Sequence, residues 1–368
     1  MNRKKYLLIL LVLLTLILSA CSSAPQAVWP GVFATDKTVY LVDGLQLYAV
    51  NLADGKDAAV TSGSTSTFLR FPAKQDSKQS FYAAPALTSD NQLIIGSAGA
   101  NYALYSLNPD TLAINWTFSQ ATDSFIGGVL VANDTIYAPN ADGKLYALDL
   151  KGNLKWTFEK PTQGLWSTPV TDGKLVFVAS LDHHLYALDA LTGAEAWDQK
   201  LDGASMSSPA LGADGSLYIG TVNKSMYAFK SATGEQIWKQ SMEGLVWASP
   251  VVNADTVYVS LVIGETQGKL LALNAADGKT KWPFIADGSL VGGPLVDGDL
   301  IIVASETGTV YALNNAGQQQ WFYTVDKKIY TAPYAAGKFI LISTVEAENL
   351  IYALNQSGGL VWQYKPQK

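Results

Sequence analysis

The stretch Leu185-Tyr186-Ala187-Leu188-Asp189-Ala190-Leu191-Thr192-Gly193-Ala194-Glu195-Ala196-Trp197 decides the architecture, because versions of it recur along the whole chain. It reads as a strand, a tight Gly turn, and a second strand that opens near a Trp. Its Tyr-Ala-Leu-Asp/Asn tetrad begins at Tyr48, Tyr105, Tyr146, Tyr186, Tyr227, Leu271, Tyr311 and Tyr352, with gaps of 57, 41, 40, 41, 44, 40 and 41 residues. A Trp follows ten or eleven residues later, at Trp116, Trp156, Trp197, Trp238, Trp282, Trp321 and Trp362. Only the first copy lacks it. Eight copies at a nearly fixed period are the mark of a repeat architecture.

One unit reads as four short strands. In the fourth copy these are Trp166 to Val170, Leu175 to Ala179, Leu185 to Asp189, and a strand opening at Ala196-Trp197. Asp172-Gly173 and Thr192-Gly193 turn the chain, and Asp182-His183-His184 makes a polar connection. No helical period runs through the unit. Four strands in about 40 residues describe a propeller blade. The expected fold is therefore all-β, an eight-bladed β-propeller of four-stranded antiparallel blades. A linear solenoid needs capping repeats with polar outer faces. Here the end copies look like the middle ones, which suits a closed ring.

The repeats resemble the pyrroloquinoline-quinone-like (PQQ-like, quinoprotein-like) propeller family, whose Ala-x-Asp-x-x-Thr-Gly-x-x-x-Trp motif runs from Ala187 to Trp197. Ala228 to Trp238 and Ala272 to Trp282 match closely, with Lys230 and Asn274 at the Asp position. Copies ending at Trp156, Trp321 and Trp362 are one residue shorter. The resemblance covers residues 28 to 365. It implies that each of the seven tryptophans docks between neighbouring blades. It does not by itself assign a task, because one fold hosts many functions.

The N-terminus speaks to compartment. Arg3, Lys4 and Lys5 precede an apolar run, Tyr6 to Leu18, that is short for a membrane span. Leu18-Ser19-Ala20-Cys21 follows, and small residues before a cleavage point mark a signal peptide. The pattern also matches the bacterial lipoprotein signal, which implies a diacylglyceryl group on Cys21. The expected organisation is a signal peptide over 1–20, a lipidated linker over 21–27 and one propeller over 28–366. The expected location is extracytoplasmic, on the outer face of the cell membrane or on an outer membrane. Cys21 is the only Cys, so neither a disulfide nor a second thiol exists.

The formal charge is −6, and removing the three basic residues of the signal leaves −9. Arg70 is the only Arg after Arg3. Nucleic-acid binders cluster Lys and Arg, so no nucleic-acid partner is expected. The propeller is read as a monomer, held at the membrane by its lipid, with a protein or polymer partner.

The candidate sites fall at the ring's centre. Three residues before the inner-strand Pro, or its equivalent, stand Trp29, Tyr82, Ile126, Trp166, Met206, Trp247, Val291 and Tyr330. Trp29, Tyr82, Trp166, Trp247 and Tyr330 could line a central funnel and hold a ligand or partner, or could pack between blades. His183 and His184 fall in a turn with no third His, and the Asp-Gly pairs fit hairpins better than Ca2+ loops. No metal or cofactor is expected. Quinone-dependent dehydrogenases of the family carry a vicinal Cys pair and a Glu/Asn/Asp Ca2+ site, which find no match here.

Length, lipid signal and eight blades together resemble the propeller lipoproteins of outer-membrane β-barrel assembly machineries. That resemblance implies a non-catalytic scaffold which docks a partner on exposed loops. The alternative is a small-molecule or polysaccharide site, or a quinone enzyme, in the funnel. Two insertions break the repeat: Lys56 to Thr67 with Pro72 to Ser80, and a loop around Gly264 to Gly268. Leu69 is read as standing where the first copy lacks its Trp.

Overall fold

Eight four-stranded antiparallel sheets follow one another along the chain. The computed structural model describes residues 30–367, apart from 63, 64, 77, 265 and 346. Blade 1 begins with its inner strand at Gly31–Ala34, and blade 8 ends with its outer strand at Leu360–Tyr364. Each blade therefore uses contiguous sequence, and inner strands approach one another around the axis, including Gly31–Ala34 against Tyr334–Ala336. The reading of an eight-bladed all-β propeller is borne out. The other way of closing such a ring, a strand added to blade 8 by residues 22–28, concerns residues outside those described.

Blade 4 shows how sequence makes the unit. Its second and third strands, Leu175–Ala179 and His184–Asp189, are β-branched, aromatic and almost wholly buried. Both faces are covered by neighbouring blades, which is why the apolar residues run on instead of alternating. The outer strand, Glu195–Lys200, is polar except for Ala196 and Trp197. Opposite that Trp the ladder slips by one residue, between Ala187 and Leu188. The same slip occurs at the corresponding step in blades 2 to 8, for example Ala147/Leu148, Ala228/Phe229 and Ala353/Leu354. A bulge adds local twist and swings the indole toward the next blade.

There the indole meets a glycine. A Cβ on Gly234 would lie 2.7 Å from the Trp197 ring, and Gly234 has φ of +72°. The indole N–H donates to the carbonyl of Ser231 at 2.9 Å. This Trp–Gly contact repeats at Trp116–Gly152, Trp156–Gly193, Trp238–Gly278, Trp282–Gly317, Trp321–Gly358 and Trp362–Gly55. The last of these joins blade 8 to blade 1, with the Trp362 N–H on Leu52 O at 3.0 Å. So the seam that closes the ring is built like the others. Of the seven tryptophans, Trp156 alone has a buried indole N–H without an acceptor. The Tyr137 hydroxyl donates to the Ala190 carbonyl at 3.0 Å.

The seam between blades 1 and 2 departs from this rule on both sides. Leu69 stands opposite Ala49, as Trp197 stands opposite Ala187, since Ala49 N–H donates to Leu69 O at 3.1 Å. Across the seam the glycine position is Leu112, buried and held at φ of +54°. Leu69 and Leu112 join one apolar cluster with Phe71, Phe81 and Leu107.

Both insertions are more regular than the sequence suggested. Residues 59–68 form a hairpin, Ala59–Ser62 with Thr65–Phe68, set into the outer strand of blade 1. The outer strand resumes at Arg70–Phe71. In blade 6 the expected loop is instead a longer ladder. Thr256–Ile263 pairs with Gln267–Asn274 along eight residues on each side.

Candidate functional site

The topology gives the ring two unlike ends. The loops entering each blade and the turns between second and third strands share one end, here called the mouth. The turns between first and second, and third and fourth, strands share the far end. The positions singled out by sequence sit at the mouth, where each loop becomes an inner strand. Tyr82, Ile126, Trp166, Met206, Trp247, Val291 and Tyr330 are all half-buried. Trp29 and Cys21 lie outside the described residues.

Below these positions the inner strands crowd the axis. The Thr168 N–H donates to Ser208 Oγ at 2.9 Å, and the Ser208 N–H to Ser249 Oγ at 2.8 Å. A Cβ on Gly31 would stand 2.2 Å from Ala84 N, and one on Gly292 would stand 2.4 Å from Thr331 C. Only small residues fit such an approach. The mouth is thus a half-exposed apolar and aromatic collar above a tight polar ring. Two of its members are tied down locally. Trp166 lies against Gly164 in its own loop, and the Tyr330 hydroxyl donates to Glu306 at 3.1 Å.

Carboxylates around the collar stitch the loops together, and they come from either side. In blades 3 and 4 they sit in the second turn. Asp142 accepts from the Tyr146 hydroxyl at 2.7 Å and from Thr122 N–H at 3.1 Å. Asp182 accepts from the Tyr186 hydroxyl and from Thr162 N–H, both at 2.9 Å. In blades 5 and 7 the carboxylate sits in the entering loop. Asp202 accepts from Thr221 Oγ1 at 3.0 Å and pairs with Lys239 at 2.9 Å. Asp287 accepts from Ser305 Oγ at 2.6 Å and Thr309 Oγ1 at 2.7 Å. The same bridge is made with the acid on opposite partners.

The positions singled out by sequence are the starts of the inner strands, and they do not include an ion pair that the mouth carries beside them. Lys328 donates to Glu306 at 2.7 Å and lies 3.1 Å from the Tyr330 hydroxyl. The pair was hidden because Glu306 comes from a turn of blade 7 and Lys328 from the loop into blade 8. Its bonds to Glu306 and Tyr330 hold the Lys328 ammonium well above its ordinary range. Burial, foremost, pushes the Tyr330 phenol up as well. Burial likewise raises Tyr146 and Tyr186, and their acceptors Asp142 and Asp182 raise them further. Burial alone would raise Asp202 and Asp287, but hydrogen bonds outweigh it and keep both below the usual carboxylate range. Each of these groups is fixed in its ordinary neutral-pH form. A general acid or base works best with a value near the working pH, and these move away from it.

The two histidines diverge. His183 is exposed at φ of +71°, while His184 opens a strand with its ring on Asp198 at 3.1 Å and stacked on Tyr186. Among the described residues no three His, Cys, Asp or Glu side chains group to hold a metal.

A family model described as outer membrane protein assembly factor BamB matches residues 72–179, 182–290 and 285–368. Solved structures share the fold. BamB from Moraxella catarrhalis is 18% identical, with a TM-score of 0.67 over 92% of this chain and 94% of that one. The computationally designed Ika8 protein is 11% identical, with a TM-score of 0.68 over 93% and 98%. The quinohemoprotein alcohol dehydrogenase ADHIIG from Pseudomonas putida HK5 is 14% identical, with a TM-score of 0.67 over 93% and 78%. No curated protein matches the chain at a significant level. With the model matching most of its length, the chain belongs to the family of outer membrane protein assembly factor BamB.

Proposed function

We propose that this chain is a non-catalytic scaffold of envelope protein assembly, held outside the cytoplasmic membrane by a lipid on Cys21. The family supports the assembly role. The state of the mouth supports the lack of catalysis: its carboxylates are occupied in joining loops, and its Lys and Tyr groups stay protonated. The partner is a protein that docks on exposed loops.

The likeness to a quinohemoprotein dehydrogenase is one of fold. A metal-bound quinone needs clustered acidic ligands, and the described residues offer no such group. The chain has no Cys besides Cys21 to form a pair over a cofactor. The residues do not fit that chemistry, and no step is derived through it.

Crosslinking in the native membrane followed by mass spectrometry tests the scaffold role. Recovery of a β-barrel assembly protein is the expected result. Recovery of polysaccharide or lipid alone would overturn it and direct attention to Trp166 and Trp247. Cys21→Ser is expected to move the protein from the membrane fraction to the soluble fraction. Retention on membranes would remove the lipid anchor.

A further inference from the structure

The far end and the mouth differ in charge, and the chain enters at only one of them. Pro30 and Gly31 begin the inner strand of blade 1 at the mouth, close to the axis. We infer that the mouth faces the phospholipid surface and the far end points away from it. This rests on the lipid anchor at Cys21.

Reach sets the first constraint. Cys21 and Pro30 are nine residue steps apart, and a fully extended chain of that length spans at most about 32 Å. Travelling from the inner strand to the rim crosses three strand spacings of about 4.8 Å, plus side chains. Descending an outer strand of five or six residues adds about 17–20 Å. The tether is consumed on the way, so the far end cannot be laid on the bilayer.

Charge points the same way. The turn between first and second strands carries an exposed aspartate in each of blades 1 to 7: Asp36, Asp90, Asp134, Asp172, Asp214, Asp255 and Asp299. They circle the axis at the far end and outnumber the exposed lysines of the same turns, Lys37, Lys174 and Lys338, with Asp255 paired to Lys281 at 2.8 Å. Anionic lipids repel such a ring within a Debye length of about 8–10 Å. At the mouth, exposed Lys74, Lys78 and Lys327 stand beside exposed Asp76 and Asp326, so charges of both signs are mixed there, and Trp166, Trp247 and Tyr330 are half-exposed. Trp and Tyr are the side chains that settle at headgroup level.

The test uses full-length lipidated protein in vesicles of phosphatidylethanolamine and phosphatidylglycerol. Lipidation consumes the only native thiol, so an introduced cysteine is labelled uniquely. One variant carries a fluorophore at Lys327→Cys in the loop entering blade 8. The other carries it at Leu191→Cys, a far-end position that is 74% exposed. With a quencher on the lipid headgroups, loss of emission is expected at 327 and not at 191. Quenching at 191, or equal quenching at both, overturns the orientation. Protein that floats with vesicles while 327 stays bright also overturns it, and leaves the mouth to a protein partner. Protein that does not float overturns the anchor, and the orientation falls with it.

Discussion

The seam between blades 4 and 5 and the seam between blades 1 and 2 meet the same requirement with different residues. At the first, the flat Trp197 ring rests on Gly234. At the second, Leu69 stands in the Trp position and Leu112 in the Gly position. The comparison separates two reasons for the glycine. Leu112 keeps φ of +54°, so the turn demands a left-handed residue whatever lies across from it. The missing side chain is demanded only where an indole must sit. Partner residues change together across a seam, although they are distant in sequence.

The largest way to break the comparison is to empty one seam. Trp197→Ala is expected to cost roughly 3–5 kcal/mol, the range for deleting a buried aromatic. Leu69→Ala should cost less, because Leu69 is only half-buried. Equal losses in chemical denaturation would show that the indole has no special share in holding blades together. Next in size is Gly234→Ala. It places a Cβ 2.7 Å from the Trp197 ring at a positive φ, and a left-handed non-Gly residue costs about 1–3 kcal/mol. A melting temperature unchanged by that variant would contradict the contact.

The exchange can also be run at the odd seam. Leu69→Trp alone overpacks it and should destabilise by about 1–3 kcal/mol. Adding Leu112→Gly makes room for the ring, so the double variant should be more stable than the two single losses predict together. Strict additivity would mean that the two positions do not share a seam.

The mildest effect concerns pH. Asp202 and Asp287 have folded values below the ordinary carboxylate value. Their contribution is therefore present above the unfolded value of about 3.9 and is lost as pH falls through the folded one. Stability should decline below about pH 4, and Asp202→Asn with Asp287→Asn should flatten that decline. An unaltered acid profile would remove the role assigned to these carboxylates.

What the sequence made legible was whatever repeats. Strand residues, Gly turns and tryptophans recur at one spacing because each blade must pack against an equivalent neighbour. Leu69 was readable for the same reason, from its place in the register. The hairpin at 59–68 was not, because Gly, Ser and Thr there carry no strong strand signal. The added residues of blade 6 gave an excess in the count but not its form, a continued ladder. The mouth was the least legible part. The bridge from loop to turn is fixed in space, yet its acid lies in the turn at Asp182 and in the loop at Asp202. No column of the repeat holds it. Glu306 and Lys328 meet across two blades, so neither segment alone announces the pair.

The closing seam carries one more meaning. Residues 30 and 364 lie at the same end of the ring, and Trp362 meets Gly55 just as Trp197 meets Gly234. The covalent break therefore leaves no mark on the packing. A ring of this kind is indifferent to its own starting point: with the ends joined by a short linker, the chain could be opened at another entering loop and enclose the same set of blades. Position in the sequence is then a matter of which loop is left open. The ends lie at the mouth because this ring is opened at an entering loop, not because the blades require that particular loop.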